Sequence, residues 1–225
     1  MPRMSTFILH LETSTRICSV ALSKDGICIA HLDQSGDGYI HGEALTLMIQ
    51  ELLSGCQLDL QQVAAVSYSS GPGSYTGLRI GLSTAKGLCY ALNIPLIGLP
   101  THQILFELAH TFGGQTPQYV IALLDARRTE VYMQVFDHLG TSKKQLHCAL
   151  LESTDISAYL PALIVGDANQ KAQEHWQNDA ITWENAALSA KFQAKIAFRA
   201  FEKQTFEDLA YCSPIYLKGA NGVLL

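Results

Sequence analysis

Charge is scarce in this chain. Only 16% of its 225 residues are Asp, Glu, Lys or Arg, and the formal net charge of −5 is spread without long blocks of either sign. A protein that grips nucleic acid unaided carries a basic stripe; none is present, so any RNA partner calls for a basic co-subunit. The six cysteines, Cys18, Cys28, Cys56, Cys89, Cys148 and Cys212, include no C-x-x-C pair. Most lie in apolar stretches, which argues for reduced thiols acting as small apolar side chains rather than zinc ligands or disulfides. No run approaches the roughly 18 to 20 apolar residues of a membrane span. The opening MPRMSTFILHLETS, broken by His10 and Glu12, is too short and polar for a signal h-region. A soluble, cytoplasmic chain is the expectation. Also missing are the G-x-x-x-x-G-K-[ST] order of a P-loop and the G-x-S-x-G elbow of a serine hydrolase, and the histidines form no recognisable cluster.

What the chain does have is apolar material, 48% of residues, enough for a core without staples. Short runs rich in Ile, Val and Cys at 6–12, 17–23 and 27–32 predict an antiparallel meander. A polar loop with Gly36 and Gly38 follows, then a helix over 41–55. The apolar VAAVSYS (63–69) predicts a buried strand, 75–92 a second helix, LIGL a short strand and 101–111 a third helix. GGQTP is the clearest Gly/Pro-rich linker. Beyond it the pattern restarts with a hairpin over 119–126 and 130–136, a strand at 162–166, a helix at 169–177, a strand at 181–183 and a long helix at 186–203. Two α/β lobes of this grammar, 1–112 and 113–225, predict the two-lobed actin-like ATPase (ASKHA, ribonuclease H-like) fold.

The stretch SSGPGSYTGLRIG (69–81) draws most attention. Gly71, Gly73 and Gly77 permit close approach, Pro72 fixes one φ, and Ser74 or Thr76 is placed to cap the helix that begins here. Free N–H groups at a helix start make anion binding physically open. Arg79, one turn in, is placed to meet a phosphate or carboxylate. The 41–55 helix carries one stripe of Leu45, Met48, Ile49 and Leu52 and a second of Ala44, Leu47 and Leu53. One stripe is expected to pack on its own sheet and the other to need a cover, and the first is taken as the partner-binding set.

Together ILHLETSTRICSVALSKDG, HGEALTLMIQELL, GPGSYTGLRIG, NIPLIGLPT, DARRTEVY and SPIYLKG resemble the TsaB (YeaZ) family, from about Ile8 to Gly219. The resemblance implies a non-catalytic subunit in the making of tRNA threonylcarbamoyladenosine (t6A), where TsaC makes threonylcarbamoyl-AMP, TsaD transfers the group and the ATPase TsaE recycles the assembly. It implies pairing with a TsaD homologue, or with itself in isolation, through helices such as 41–55. tRNA is then met through the complex, and no membrane is involved. No cofactor is expected to bind tightly; ATP or ADP at the seam with the partner, near Arg79 and the loop of Gly71, Gly73, Ser74, Thr76 and Gly77, is the one candidate. The catalytic relative's H-x-x-x-H metal pair falls by register on Thr101 and Leu105, which make no metal site, and no catalytic residue is expected. His102 and His110 are expected to be stray exposed or capping histidines. Glu12 stands where actin-like ATPases place an Asp, and TSTR replaces a Gly-rich phosphate hairpin, so ATP hydrolysis is expected to be weak or absent. Two enzymatic alternatives share the fold. A metallopeptidase lacks its histidine pair, and a sugar or acetate kinase would have only Asp125, for which an ion pair with Arg127 is an equal reading.

Overall fold

β1 (Phe7–Glu12) and β2 (Cys18–Lys24) are buried at nearly every position, and β3 (Ile27–Gln34) completes an antiparallel meander at the sheet edge. Such continuous apolar runs belong to strands covered on both faces. β1 then pairs in parallel with β4 (Val63–Gly71), and β4 with β5 (Leu96–Pro100), giving the order β3-β2-β1-β4-β5. The parallel pairs require helical crossovers. These are α1 (His41–Gly55), between β3 and β4, and α2 (Tyr75–Leu92), between β4 and β5. The computed structural model describes residues 5–35, 41–111 and 117–218; the expected loop at Gly36 and Gly38 and most of GGQTP lie outside them.

A second sheet repeats the plan. β6 (Tyr119–Asp125), β7 (Glu130–Asp137) and β8 (Ser142–Leu150) form the meander, β9 (Ala162–Gly166) and β10 (Ile181–Glu184) the parallel part, in the order β10-β9-β6-β7-β8. β8 is an addition to the sequence reading. SKKQLHCAL shows no clean apolar alternation because it is an edge strand, and its lysines are the usual guard of an exposed edge. α4 (Asn169–Gln173) is shorter than the helix expected over 169–177. The helix expected over 186–203 is a 3-10 turn, Ala190–Gln193, leading into α5 (Ala194–Glu202).

The chain forms two compact units, Met1–Thr101 with Ser189–Ile215, and His102–Leu188 with Tyr216–Leu225. The division expected at 112/113 is therefore displaced, and buried side-chain hydrogen bonds give the reason. α3 (Thr101–Ala109) packs on the second sheet, where His102 Nε2 bonds the Tyr132 carbonyl at 3.0 Å and Phe106 lies 5.1 Å from Phe136. The 189–202 stretch returns to the first sheet, where Gln193 Nε2 donates to the Leu11 carbonyl at 2.9 Å and Ser67 Oγ donates to Gln193 Oε1 at 2.7 Å.

α1 overturns one expectation. Leu45, Met48, Ile49 and Leu52, taken as the partner-binding stripe, are buried within the first unit, in one core with Leu9, Val20, Leu22 and Val66. Ala44 and Leu53 of the other stripe are buried as well, and only Leu47 stands out, 65% exposed. α1 is thus a helix sunk into its own sheet, with a wider apolar face than two separate stripes suggest. A groove of about 330 Å³ lined by Ile49, Leu53, Leu58, Leu60, Thr84 and Leu88 runs between α1 and α2.

Candidate functional site

The glycine-rich stretch and the β1–β2 turn form one corner of the first unit. β1 ends on Glu12, which is fully buried. Its Oε1 accepts the Ser14 amide at 2.8 Å and the Ser14 hydroxyl at 2.6 Å, and Gln193 Nε2 lies 3.4 Å from Oε2. Burial pushes the Glu12 carboxyl above the ordinary carboxylate range, while the hydrogen bonds from Ser14 pull the other way. A carboxylate enclosed like this holds its own turn and does not face a ligand.

The turn is clamped from two further sides. The Ser74 amide donates to the Ser14 carbonyl at 2.6 Å, and His41, buried at the start of α1, reaches the Thr15 carbonyl through Nε2 at 3.0 Å. α2 approaches closely because its contact stripe is glycine. A Cβ added at Gly73 would collide with Ser14, and one added at Gly77 or Gly81 with Thr13. Gly71, at φ 109°, places its Cα against the Ile215 backbone, and the Ile215 amide donates to the Ser70 carbonyl at 2.7 Å. The close approach read from the sequence is real, and the neighbour at each of these points is the chain itself.

Of the expected nucleotide-side residues, Gly71 and Gly77 are buried, Gly73 and Ser74 half-buried and Thr76 exposed. Ser74 is the cap, accepting the Gly77 amide at 3.1 Å. Two donors that a phosphate would want, the amides of Ser74 and Gly77, are therefore already engaged. Arg79 is exposed, with its guanidinium 4.2 Å from the centre of the Tyr75 ring.

Thr101 and Leu105 are both fully buried, and among the described residues no group of His, Cys, Asp or Glu is arranged to hold a metal ion. His102 is not the exposed or capping residue expected. It is fully buried, and burial lowers its pKa to about 4, so it is a neutral donor to Tyr132. His110 is exposed, its ring tilted against Phe106 with the centroids 4.4 Å apart.

In the second unit β6 ends on Asp125, whose partner is not the Arg127 side chain. Oδ1 accepts the Arg127 amide at 2.8 Å and the Lys171 ammonium at 2.6 Å, and the Asp125 amide donates to Asp167 Oδ1 at 2.8 Å. Glu130 is paired with Lys218. DARRTEVY and SPIYLKG, far apart in sequence, are thus joined by one ion pair. Lys171 and Gln193 were not singled out in the sequence; the partners of each come from distant segments, so no local pattern marks it.

Two sheets of one order, each a meander extended by parallel strands, define an α/β protein of the actin-like ATPase class. The family model described as TsaD: tRNA N6-adenosine threonylcarbamoyltransferase matches residues 39–218. Over 177 residues, 79% of this chain and 72% of the relative, the chain is 30% identical to the tRNA threonylcarbamoyladenosine biosynthesis protein TsaB of Escherichia coli. It is 36% identical to the TsaB of Haemophilus influenzae over 125 residues, 56% of this chain and 51% of that protein. The solved structure of YeaZ from Pseudomonas aeruginosa superposes with a TM-score of 0.81 at 25% identity, covering 94% of this chain and all of that one. The chain belongs to the TsaB (YeaZ) family.

Proposed function

We propose that this chain is a non-catalytic subunit for t6A formation on tRNA, paired with a TsaD-type transferase that carries the chemistry. The observation that supports this reading most directly is the enclosed corner at Glu12. Where an actin-like ATPase would present an acid and a phosphate hairpin, this chain has a carboxylate bonded to Ser14 and a turn closed by Ser74 and His41. A metallopeptidase would need ligands at 101 and 105, and Thr101 and Leu105 point the other way.

The pairing surface is the outer side of α1 and α2, taking in exposed Leu47 on α1, exposed Arg79 on α2 and the groove between the helices. Leu45, Met48, Ile49 and Leu52 support that surface from beneath. A TsaE-type ATPase joins the assembly, tRNA is met through the complex, ATP or ADP occupies the seam with the partner, and the chain self-pairs when the partner is absent. The setting is the cytoplasm; no helix among the described residues is long and apolar enough to cross a membrane.

The test is reconstitution. This chain, a TsaD homologue, threonylcarbamoyl-AMP and unmodified tRNA are combined, and t6A is measured with each protein alone and with both. Modification requiring both proteins supports the reading; modification by this chain alone with a metal overturns it. Leu47→Glu is expected to weaken pairing and activity together while leaving the fold intact. Met48→Glu cannot serve this purpose, because it places a charge in the core.

A further inference from the structure

The β6–β7 turn holds two arginines in a backbone conformation that side chains avoid. Arg127 has φ 73° and Arg128 φ 51°, both in the left-handed region where glycine or asparagine sits at lower cost. A dedicated clamp keeps them there. Asp125 Oδ1 accepts the Arg127 amide, and the Lys171 ammonium donates to Asp125 Oδ1, to the Arg128 carbonyl at 2.9 Å and to the Glu130 carbonyl at 2.7 Å. All three ammonium hydrogens of Lys171 serve this one turn. Strain maintained by such a scaffold points to the side chains it displays.

In the scaffold Asp125 is paired with Lys171 and Glu130 with Lys218, and the remaining carboxyl, Asp167, accepts the Asp125 amide at 2.8 Å. Both arginines are exposed, and among the described residues neither guanidinium lies within ion-pair distance of a carboxylate. The field of Arg128 reaches Glu130, whose direct partner is Lys218. The turn therefore carries two positive charges on a chain of net charge −5.

The kind of anion follows from the backbone. The amides of Ala126, Arg127 and Glu130 donate to Glu130, Asp125 and Arg127 respectively, all within the turn. Those three amides are spent inside the turn and are not available to a phosphate. Recognition runs through the outward guanidinium forks, which suit oxygens spaced along a nucleic-acid backbone. We propose that Arg127 and Arg128 are an RNA phosphodiester contact, orienting tRNA on a surface otherwise unsuited to it. The proposal rests on the reading of the chain as part of a tRNA-modifying assembly.

The experiment uses the full chain in complex with a TsaD homologue and a fluorescent, unmodified tRNA transcript. Anisotropy is read from about 50 to 200 mM salt for the wild type and for R127G/R128G, a change that suits the backbone. The expected result is roughly tenfold weaker binding at low salt and a slope of log K against log salt shallower by about 1 to 2. Pairing with the TsaD homologue is retained, and the unfolding midpoint is unchanged or raised. Four outcomes overturn the proposal: unchanged affinity and slope, no tRNA binding by the wild-type complex, loss of partner pairing instead (an acidic protein face), or loss of ATP binding alone in calorimetry (a nucleotide site). An arginine-dependent slope in a complex that makes no t6A would sink the functional reading and leave this contact standing.

Discussion

Glu12 and Asp125 close the central strands of two sheets built to one plan, and each carboxylate accepts the amide two residues further on, from Ser14 and from Arg127. Beyond that their surroundings diverge. Glu12 is fully buried among neutral donors, whereas the Asp125 side chain is 52% exposed and paired with Lys171. The helices after β4 and β9 account for the difference. α2 runs from Tyr75 to Leu92 and lies on the β1–β2 turn through glycine, while the short α4 ends at Gln173 and holds the equivalent turn through the Lys171 side chain, leaving its arginines exposed. One topology thus gives a closed polar corner in one unit and a solvent-facing charged turn in the other. Strand order alone does not decide which end of a sheet meets solvent; the length and small residues of the covering helix do.

The most damaging test of this contrast is alanine at both acids. Glu12→Ala leaves the Ser14 amide and hydroxyl without their buried acceptor and is expected to cost about 3 kcal/mol or more. Asp125→Ala loses a half-exposed pair and is expected to cost under about 1 kcal/mol. Urea denaturation of the two variants gives both numbers, and equal costs would break the comparison.

Next is the contact that closes the corner. Gly77→Ala forces a methyl into the Thr13 backbone and is expected to destabilise by about 2 kcal/mol. His41 and Ser74 are expected to lose their grip on the turn, visible as faster amide exchange at Ser14 and Thr15.

Both units bury imidazoles, and His10 in the first and His102 in the second set a pH dependence. His10 lies between the Ser67 and Ser23 hydroxyls at 2.6 and 2.7 Å, and burial lowers its pKa to about 3; His102 is lowered to about 4. A base whose folded pKa lies below its unfolded value contributes fully above about 6.5, and the contribution is lost as pH falls toward the folded value. Each histidine is expected to remove about 1 kcal/mol between pH 6.5 and 5.5. Glu12, raised by burial, takes up its proton first in the folded state and opposes the loss on the acid side. Denaturation series at stepped pH should show His10→Gln and His102→Gln each flattening the slope; an unchanged slope in either would mean that its imidazole is not held neutral.

The smallest effect sharpens the same contrast within α2. Gly87 has open space where a Cβ would sit, so Gly87→Ala is expected to raise stability by about 0.5 to 1 kcal/mol. The same substitution at two glycines of one helix thus moves the unfolding midpoint in opposite directions.

Much of this was legible in the chain itself. The meander, the buried β4, the glycine stretch with Ser74 or Thr76 as its cap and the restart near residue 119 follow from periodicity and turn chemistry. β8 escaped because an edge strand needs only one satisfied side and tolerates Lys143 and Lys144. The burial of Leu45, Met48, Ile49 and Leu52 escaped because periodicity shows that a helix has an apolar stripe without showing what lies against it. Asp125 was expected to share its charge equally well with Arg127, its sequence neighbour, whereas the partner is Lys171 from after β9, brought in by the parallel pairing of β6 and β9. His102 read as a stray residue since nothing local reveals that Tyr132 waits for it.

The bond from Gln193 to Leu11 crosses 182 positions of sequence. A ribosome completes β1 almost at once, yet the glutamine that caps this strand emerges only when most of the polypeptide has been made. Until then Leu11 and Ser67 lack their late-arriving neighbour, so the first-made sheet waits for one of the later parts of the chain. Translation pauses before residue 193 would prolong the nascent chain's exposure to chaperones and proteases at the amino-terminal sheet.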